Sequence, residues 1–495
     1  MGDAGHLTTY HALREKYPVF TYASYDYRER DGGLELNFVF RVGVDFIFRP
    51  RLFFHSAGPA AAKMAVPLLR SLVFHIGMVE AISYWKAFCS PVFRVGAHSL
   101  DQHQQAWWKK LFVFGLAEFF YTNGIPSPGE SIFRFVFREG SQAPPAVELQ
   151  EKGAEAAKGG LGGNPPETVA AKGGLGGNPP ETLIPLGGGK DSVVTLELLK
   201  KAGLPIQALV INPRGATREV LQAAGIPQSR ILEIDRTIDP LLLQLNSQGF
   251  LNGHTPFSAM LAFVSLLGAK LCGSAHIALS NESSANEATI PGTSINHQYS
   301  KSTEFESDFR SYVSLYISGA LNYFSFLRPV NELQIGAMFS GMGLHHPHFK
   351  SCNAGSKTDS WCLKCPKCLF TFIILSPFLS PDQMQGIFGA DLFNHAGLVS
   401  ILDQLTGLAE TKPFDCVGTT EEVNVALSYL VHKKEQEGSA LPPLLEHYRK
   451  SGAHLPDAIL RLKTHLASWS PGHHLQPPFL GVLREEVENL KKTDL

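Results

Sequence analysis

Leu183-Ile184-Pro185-Leu186-Gly187-Gly188-Gly189-Lys190-Asp191-Ser192 stands near the middle of the chain. Four apolar residues read as a buried strand, the three glycines as a loop, and Asp191 as the start of a helix running to Ala202. Glycines remove the Cβ atoms that would keep phosphate oxygens away from backbone N–H groups, and a helix N-terminus adds partial positive charge. Strand, loop and helix together predict a pyrophosphate cradle at Gly187, Gly188, Gly189, Lys190, Asp191 and Ser192.

Downstream the same rhythm continues. Strands are predicted at Ile206–Ile211, Ile231–Ile234 and His276–Ser280, and helices near Glu219–Ala224 and at Pro256–Cys272. This alternation predicts an α/β fold whose parallel sheet carries helices on both faces. Pro185 cannot donate to a sheet ladder, so its strand is expected to begin late or to lie at an edge. Upstream, Phe20–Tyr27, Leu34–Phe40, Asp45–Phe54 and Ile132–Phe137 read as strands, and Met64–Phe88 and Asp101–Tyr121 as helices, a mixed α+β region. From about Asp382 the pattern is mainly helical. Ala-Ala-Lys-Gly-Gly-Leu-Gly-Gly-Asn-Pro-Pro-Glu-Thr occurs at Ala156–Thr168 and again at Ala170–Thr182. Such a Gly/Pro-rich duplication cannot fill a core and reads as a linker. The expected organisation is an N-terminal domain over 1–150, a linker over 151–182, a nucleotide-binding catalytic domain over 183–380 and a helical region over 381–495.

The formal net charge is -2 over 495 residues, which gives no basic footprint for nucleic acid. The N-terminus lacks a charged segment followed by an apolar core. Val66–Ile82, the most apolar stretch, contains Arg70, His75 and Glu80 and reads as a core helix. A cytoplasmic protein without membrane or nucleic-acid partners is expected.

Of seven cysteines, Cys352, Cys362, Cys365 and Cys368 fall close together, and thiols clustered in a reducing compartment point to metal. Four thiolates suit a closed tetrahedral zinc, which is usually structural. Three polar clusters follow predicted strands: Asn252–Phe257, Ser280–Asn286 and Asn296–Ser302. At the carboxyl ends of parallel strands they would face the glycine loop as the substrate side of a cleft. His345, His346 and His348 surround Pro347 without a regular element to aim them at one ion. Tyr84, Trp85, Lys86, Glu118 and Tyr121 sit on apolar helices and read first as core.

The glycine loop is not the G-x-x-x-x-G-K-[ST] type, because Asp191 follows Lys190. It resembles the PP-loop ATP pyrophosphatases, with Gly187 in place of their usual first Ser, and that resemblance implies cleavage of ATP to AMP and pyrophosphate. The cysteine spacing is similar to that of the deazaguanine nitrile synthases, another PP-loop family. Taken with Asn281-Glu282, Asn296–Ser302, Ser351-Cys352-Asn353, Ser83–Ala87 and Phe114–Tyr121, the chain resembles the UDP-N-acetylmuramoyl-L-alanyl-L-glutamate epimerases over most of its length. Beside the structural Zn2+ read from the cysteines, the resemblance implies ATP and Mg2+, UDP-MurNAc-L-Ala-L-Glu as substrate from a ligase that adds L-Glu to UDP-MurNAc-L-Ala, and inversion of the terminal glutamate through an acyl adenylate. For proton transfer His254, Glu282, His297, Tyr299 and Lys301 are candidates, with His297 and Lys301 preferred, while Asp191 is expected to help place magnesium. The competing readings are another PP-loop adenylating enzyme, either a deazaguanine nitrile synthase or a tRNA-modifying ligase, and a nucleotide-binding scaffold without catalysis.

Overall fold

A computed structural model describes residues 3–144 and 180–492. The segment 145–179, with most of the predicted linker and its duplication, lies outside the described residues. Eleven strands form one sheet. They are β1 (Val19–Arg30), β2 (Gly33–Val42), β3 (Phe46–Phe48), β4 (Arg51–Phe54), β5 (Val92–Val95), β6 (Arg134–Phe137), β7 (Thr182–Pro185), β8 (Ile206–Ile211), β9 (Ile231–Thr237), β10 (His276–Leu279) and β11 (Asn322–Ser325). Their order is β11-β10-β7-β8-β9-β4-β2-β1-β5-β6, with β3 paired to β2. The strands β7 to β11 run parallel, as the alternating pattern predicts. An antiparallel pairing of β4 with β9, Leu52 opposite Arg236, joins the two sets.

Pro185 departs from expectation. Its strand is interior, between β10 and β8. The ladder with β10 ends at Leu183, and the next amide to bond on the β8 side belongs to Leu186, which donates to Leu209 O at 2.9 Å. Pro185 therefore stands where no N–H is called for. The predicted Asp45–Phe54 strand is two, interrupted at Arg49-Pro50, where Pro50 O accepts from Phe38 N at 3.1 Å. The predicted Asp101–Tyr121 helix is likewise two, Gln102–Gly115 and Ala117–Thr122. A Cβ on Gly115 would lie 2.9 Å from Pro256 Cγ, so the break lets another segment approach. The helix Asp3–Lys16 and the strands β5 and β11 had no strong sequence signal.

Alternation along each strand builds two cores. Leu183, Leu209 and Ile277 point to one face and pack with the helices Val66–Trp85 and Phe257–Cys272. Ile184, Ala208, Val210 and Ala278 point to the other, against Lys190–Lys201, Glu332–Ser340, Pro366–Leu375 and the C-terminal helices. Each fully buried Leu or Ile contributes roughly 1.5–3 kcal/mol, offset by ordering entropy. The helix Val66–Trp85 is long and apolar enough to cross a membrane by length and composition, yet 78% of its apolar window is buried inside the protein. It approaches β1 so closely that a Cβ on Gly77 would stand 1.9 Å from Tyr22 Oη.

Candidate active site

From β7 the chain steps to β8 and β9, then returns to lay β10 on the opposite flank of β7. Strand order reverses there, and in parallel sheets the crevice at such a reversal receives ligands. The glycine loop leaves β7 at one wall, and residues 280–302 leave β10 at the other. Gly188 has φ +83°, and a Cβ on it would meet Thr217 N at 3.0 Å, so glycine is required for both conformation and clearance. A Cβ on Gly187 would meet nothing within 4 Å, leaving that side of the loop open. Thr217 Oγ1 donates to Gly187 O at 3.2 Å, and Lys350 N donates to Gly188 O at 3.0 Å, holding the loop from two sides. The helix Lys190–Lys201 has no side-chain cap, so its first-turn N–H groups lack intrahelical acceptors. In contrast, Asp359 accepts from Gly215 N and Ala216 N, both at 3.1 Å, and closes the N-terminus of the neighbouring helix Gly215–Ala223.

Beside this loop lies a buried set of charges. The Lys190 ammonium contacts both Asp191 and Glu332. Burial works against its charge, but the two carboxylates prevail and hold its pKa above the ordinary lysine range. Glu332 is pushed up to about 8, chiefly by burial and despite Lys190. Glu282 is 4% exposed, and its carboxyl is likewise raised by burial against the pull of Lys301. Asp191 moves the other way: burial opposes its charge, yet Lys190 keeps it ionised. Lys301 is desolvated, but Cys416, Glu282 and Asp191 keep its pKa above the ordinary range.

A second cluster adjoins Lys301. The His297 ring bonds to Glu118, and the Cys416 thiol acts on its charge. Burial disfavours the imidazolium, but these two partners raise its pKa to about 9. His254 lies 3.3 Å from the same Glu118 carboxylate, with the two imidazole centroids 4.5 Å apart. Burial, together with His297, Lys86 and Lys301, lowers His254 to about 3, so it is the neutral member. Burial raises the Cys416 thiol, but Lys301, Lys367 and His297 outweigh it and bring its pKa well below the ordinary thiol range. Lys86, whose ammonium bonds Thr255 Oγ1 at 2.7 Å, and Lys301 crowd this cluster with positive charge, an arrangement suited to anions and proton transfer.

Arg328, fully buried, fixes the wall after β10. It donates to Glu282 O at 2.6 Å, to Lys301 O, and to Glu306 at 3.1 Å. Asn331 forms a capping box with Gln334, which sets Glu332 in the first turn of its helix. Glu422 accepts from Glu332 N at 2.8 Å and ties that turn to the helix Thr420–Gln436.

The sulfurs of Cys352, Cys362, Cys365 and Cys368 all lie within 4.8 Å of one another and could hold a metal ion. Cys352 to Cys365 and Cys362 to Cys368 are each 3.8 Å, and Cys365 to Cys368 is 3.5 Å. A tetrahedron with zinc–sulfur bonds of about 2.3 Å has edges of about 3.8 Å, so the donor set fits that ion. Gly355 N donates to Cys352 Sγ at 3.1 Å, the kind of outer-shell contact that steadies a thiolate ligand.

The sequence candidates divide accordingly. Gly187 to Ser192, Glu282 and Lys301 gather at the first cluster, and His254 and His297 at the second. Tyr299 is buried against Phe114 and Phe305 as a packing residue. His345, His346 and His348 diverge to Glu197, Phe339 O and Glu219. Glu332, Arg328 and Cys416 were missed, and Glu118 was read as core. Glu118 and Cys416 are separated by 298 positions, and only the fold brings them to one imidazole.

A mixed α/β sheet with a glycine loop at its reversal point, a buried ionic cleft and a four-thiol cluster defines the class. The chain belongs to the MurL family: a model described as the MurL N-terminal domain matches residues 11–326, and one described as the MurL C-terminal domain matches residues 348–455. It is 31% identical to a Xanthomonas oryzae protein over 394 residues, 78% of each chain. It is 35% identical to a Salinispora tropica protein over 62% of this chain and 67% of that one. A Micromonospora protein is 30% identical over 82% of this chain and 84% of its own. All three relatives carry the name UDP-N-acetyl-alpha-D-muramoyl-L-alanyl-L-glutamate epimerase.

Proposed function

We propose that the protein inverts the terminal glutamate of UDP-MurNAc-L-Ala-L-Glu from L to D in peptidoglycan precursor synthesis, at the expense of ATP cleaved to AMP and pyrophosphate. The relatives' common name supports the substrate and the inversion. The adenylation step is supported above all by the open glycine loop and uncapped helix N-terminus beside Lys190 and Lys301. The region 183–380 is taken as the catalytic unit, preceded by the domain over 1–150 and followed by the helical region over 381–495.

The substrate carboxylate attacks the α-phosphorus of ATP, and pyrophosphate leaves against the glycine loop. The acyl adenylate so formed no longer bears the carboxylate charge at its carbonyl, and after inversion water adds to that carbonyl carbon and expels AMP, restoring the carboxylate. Loss of the Cα proton from an ionised carboxylate would concentrate negative charge, whereas the acyl adenylate delocalises it onto one oxygen beside a cation. Lys301 suits that role, because its charge is fixed by its neighbours. The preference for Lys301 as a base at the sequence level gives way to an electrostatic role. Magnesium would be held by Asp191 with Glu282 nearby, neutralising phosphate charge. The excess of buried carboxyl groups there, two of them with raised pKa, fits a cation. Zinc would be held by the four cysteines and fix the segment 352–368 against the glycine loop, where Ser351 Oγ lies 3.1 Å from the Cβ position of Gly189.

The test follows one oxygen atom. Substrate labelled with heavy oxygen in the terminal α-carboxylate should transfer one label to AMP, with AMP and D-glutamate formed together. Inversion with unlabelled AMP, or without AMP, contradicts adenylation.

A further inference from the structure

A cavity of about 160 Å3 lies between the helix Val66–Trp85, the end of β9, the helix Pro240–Ser247 and the segment 252–257. Pockets that enclose a whole drug-sized ligand run to roughly 300–1,000 Å3, so this one suits a single arm of a ligand. Val79, Leu242 and Met260 give it aliphatic walls, and Lys86, Arg236 and Asn246 supply polar groups. Arg236 is already neutralised: Glu80 accepts from its Nε at 2.9 Å and its Nη2 at 3.0 Å, leaving Nη1 without a partner among the described residues. Lys86 is different. It is 6% exposed, and its ammonium donates to Gly253 O, to Thr255 Oγ1 at 2.7 Å and to His254 O at 3.5 Å, all neutral oxygens. No carboxylate among the described residues pairs with it. A buried cation without a counter-ion is costly, and burial lowers the Lys86 pKa to about 8 against the pull of Glu118. An anion drawn into the cavity would offset that cost. The Asn246 Oδ1 is buried with no partner, so its amide is free to turn a donor toward such an anion. The segment 252–257 walls the cavity with Asn252, Thr255 and Pro256, while its His254 side chain reaches instead toward Glu118, 3.3 Å away. The cavity and the histidine cluster share that one partition.

We propose that this cavity is the subsite for the γ-carboxylate of the substrate's terminal glutamate, with Lys86 as the residue that selects it. The inference rests on the epimerase reading above. There the α-carboxylate is consumed by ATP, whereas the γ-carboxylate keeps its charge and needs a partner of its own. Two methylenes ending in a carboxylate match the cavity. Its aliphatic walls take the methylenes, and the Lys86 ammonium, the free Nη1 of Arg236 and the Asn246 amide take the two oxygens. Held there, the γ-carboxylate is kept from the α-phosphorus of ATP, so that the α-carboxylate alone is adenylated. The Cα is left on the histidine side of the partition, next to His254. Lys86 thus binds substrate and moves no proton.

The test compares UDP-MurNAc-L-Ala-L-Glu with its γ-carboxamide, UDP-MurNAc-L-Ala-L-Gln, in the full-length protein and in Lys86→Met, which keeps an aliphatic stem of similar length. With ATP and magnesium present, kcat/KM for inversion is read for each substrate. The parent should prefer the acid to the amide by roughly a hundredfold, as a buried charge-assisted hydrogen bond allows, and Lys86→Met should bring that ratio to within about threefold of unity. A parent that accepts the amide as readily as the acid overturns the proposal. Equal loss on both substrates in a folded Lys86→Met, with the ratio intact, also overturns it, since Lys86 is then a brace for the segment 252–257. Should that variant not fold, Asn246→Asp is read instead. Its carboxylate has the shape of the amide but repels a bound anion, so KM for the acid should rise about tenfold or more over that for the amide. An equal change in the two KM values refutes the subsite. A parent that inverts neither substrate defeats the epimerase reading separately.

Discussion

His297 gives the site its clearest pH signature. Its pKa is raised from 6.5 to about 9 by Cys416 and Glu118 against the opposing effect of burial. A raised pKa in the folded state means that the stabilising contacts are fully present below about 6.5 and are lost as pH rises through about 9. If the imidazolium takes part in the reaction, kcat/KM should fall on an alkaline limb within that window. Glu118→Gln removes the carboxylate and should move the limb to lower pH without abolishing the fold; an unmoved limb would show that His297 does not govern it. Lys190→Met poses a different problem, because it leaves Asp191 and Glu332 buried without their shared cation. Losing one partner of a buried pair costs about 3–5 kcal/mol, partly relieved here because Glu332 can take up a proton with its pKa near 8. Urea unfolding should register that loss, and pyrophosphate exchange should drop by roughly a hundredfold or more. Retained exchange would remove Lys190 from phosphate binding. Residues whose chemistry depends on local sequence were legible beforehand: the glycine loop, the cysteine spacing and the polar runs after strands. Cys416 and Glu118 were not, because a thiol without nearby cysteines and a carboxylate on an apolar helix acquire meaning only through distant partners.

Elements carry the next set of consequences. The helix Val66–Trp85 rests on β1 through Gly77, where an added Cβ would stand 1.9 Å from Tyr22 Oη in a fully buried contact. Gly77→Ala should therefore destabilise the protein by about 1–3 kcal/mol despite the better helix propensity of alanine, measured as a lower Tm. A neutral or higher Tm would mean that the helix can shift away. Metal removal acts on another element. Stripping metal with a strong chelator, or making Cys365→Ser, should release close to one zinc per chain, read by elemental analysis, and lower Tm. A protein that holds no metal and is unchanged by the substitution would leave the four thiols as a reduced core cluster. Helices and strands of strong period were predictable, including four of the five parallel strands, β11 at Asn322–Ser325 being the exception. The breaks at Arg49-Pro50 and Gly115 were not, since each is set by what packs there, and neither was the interior place of Pro185, which depends on where the β10 ladder stops.

At the scale of the molecule, the N-terminal strands and the parallel strands are one continuous sheet, joined where Arg51–Phe54 meets Ile234–Thr237. The Glu80 carboxylate, at 0% side-chain exposure, also binds Arg236 at 2.9 Å across the same junction. Fragments 1–150 and 180–495, co-expressed with a tag on one, should copurify and restore activity, because separating them exposes two strand edges and an apolar helix face. Independent elution would show the junction to be weak. The net charge gave no reason to expect a large nucleic-acid footprint and the sequence pattern suggested two sheet regions, but no periodicity reveals that an antiparallel pair welds them. That weld is what brings Glu118, from the N-terminal part, to His254 and His297 from the parallel part.

The most direct measurement is incubation of the intact protein with ATP, magnesium and UDP-MurNAc-L-Ala-L-Glu in deuterated water, with chiral analysis of the released glutamate and assay of AMP. Adenylation-driven inversion requires D-glutamate carrying deuterium at Cα, formed only with ATP and matched by AMP. D-glutamate without deuterium, or formed without ATP, would contradict it.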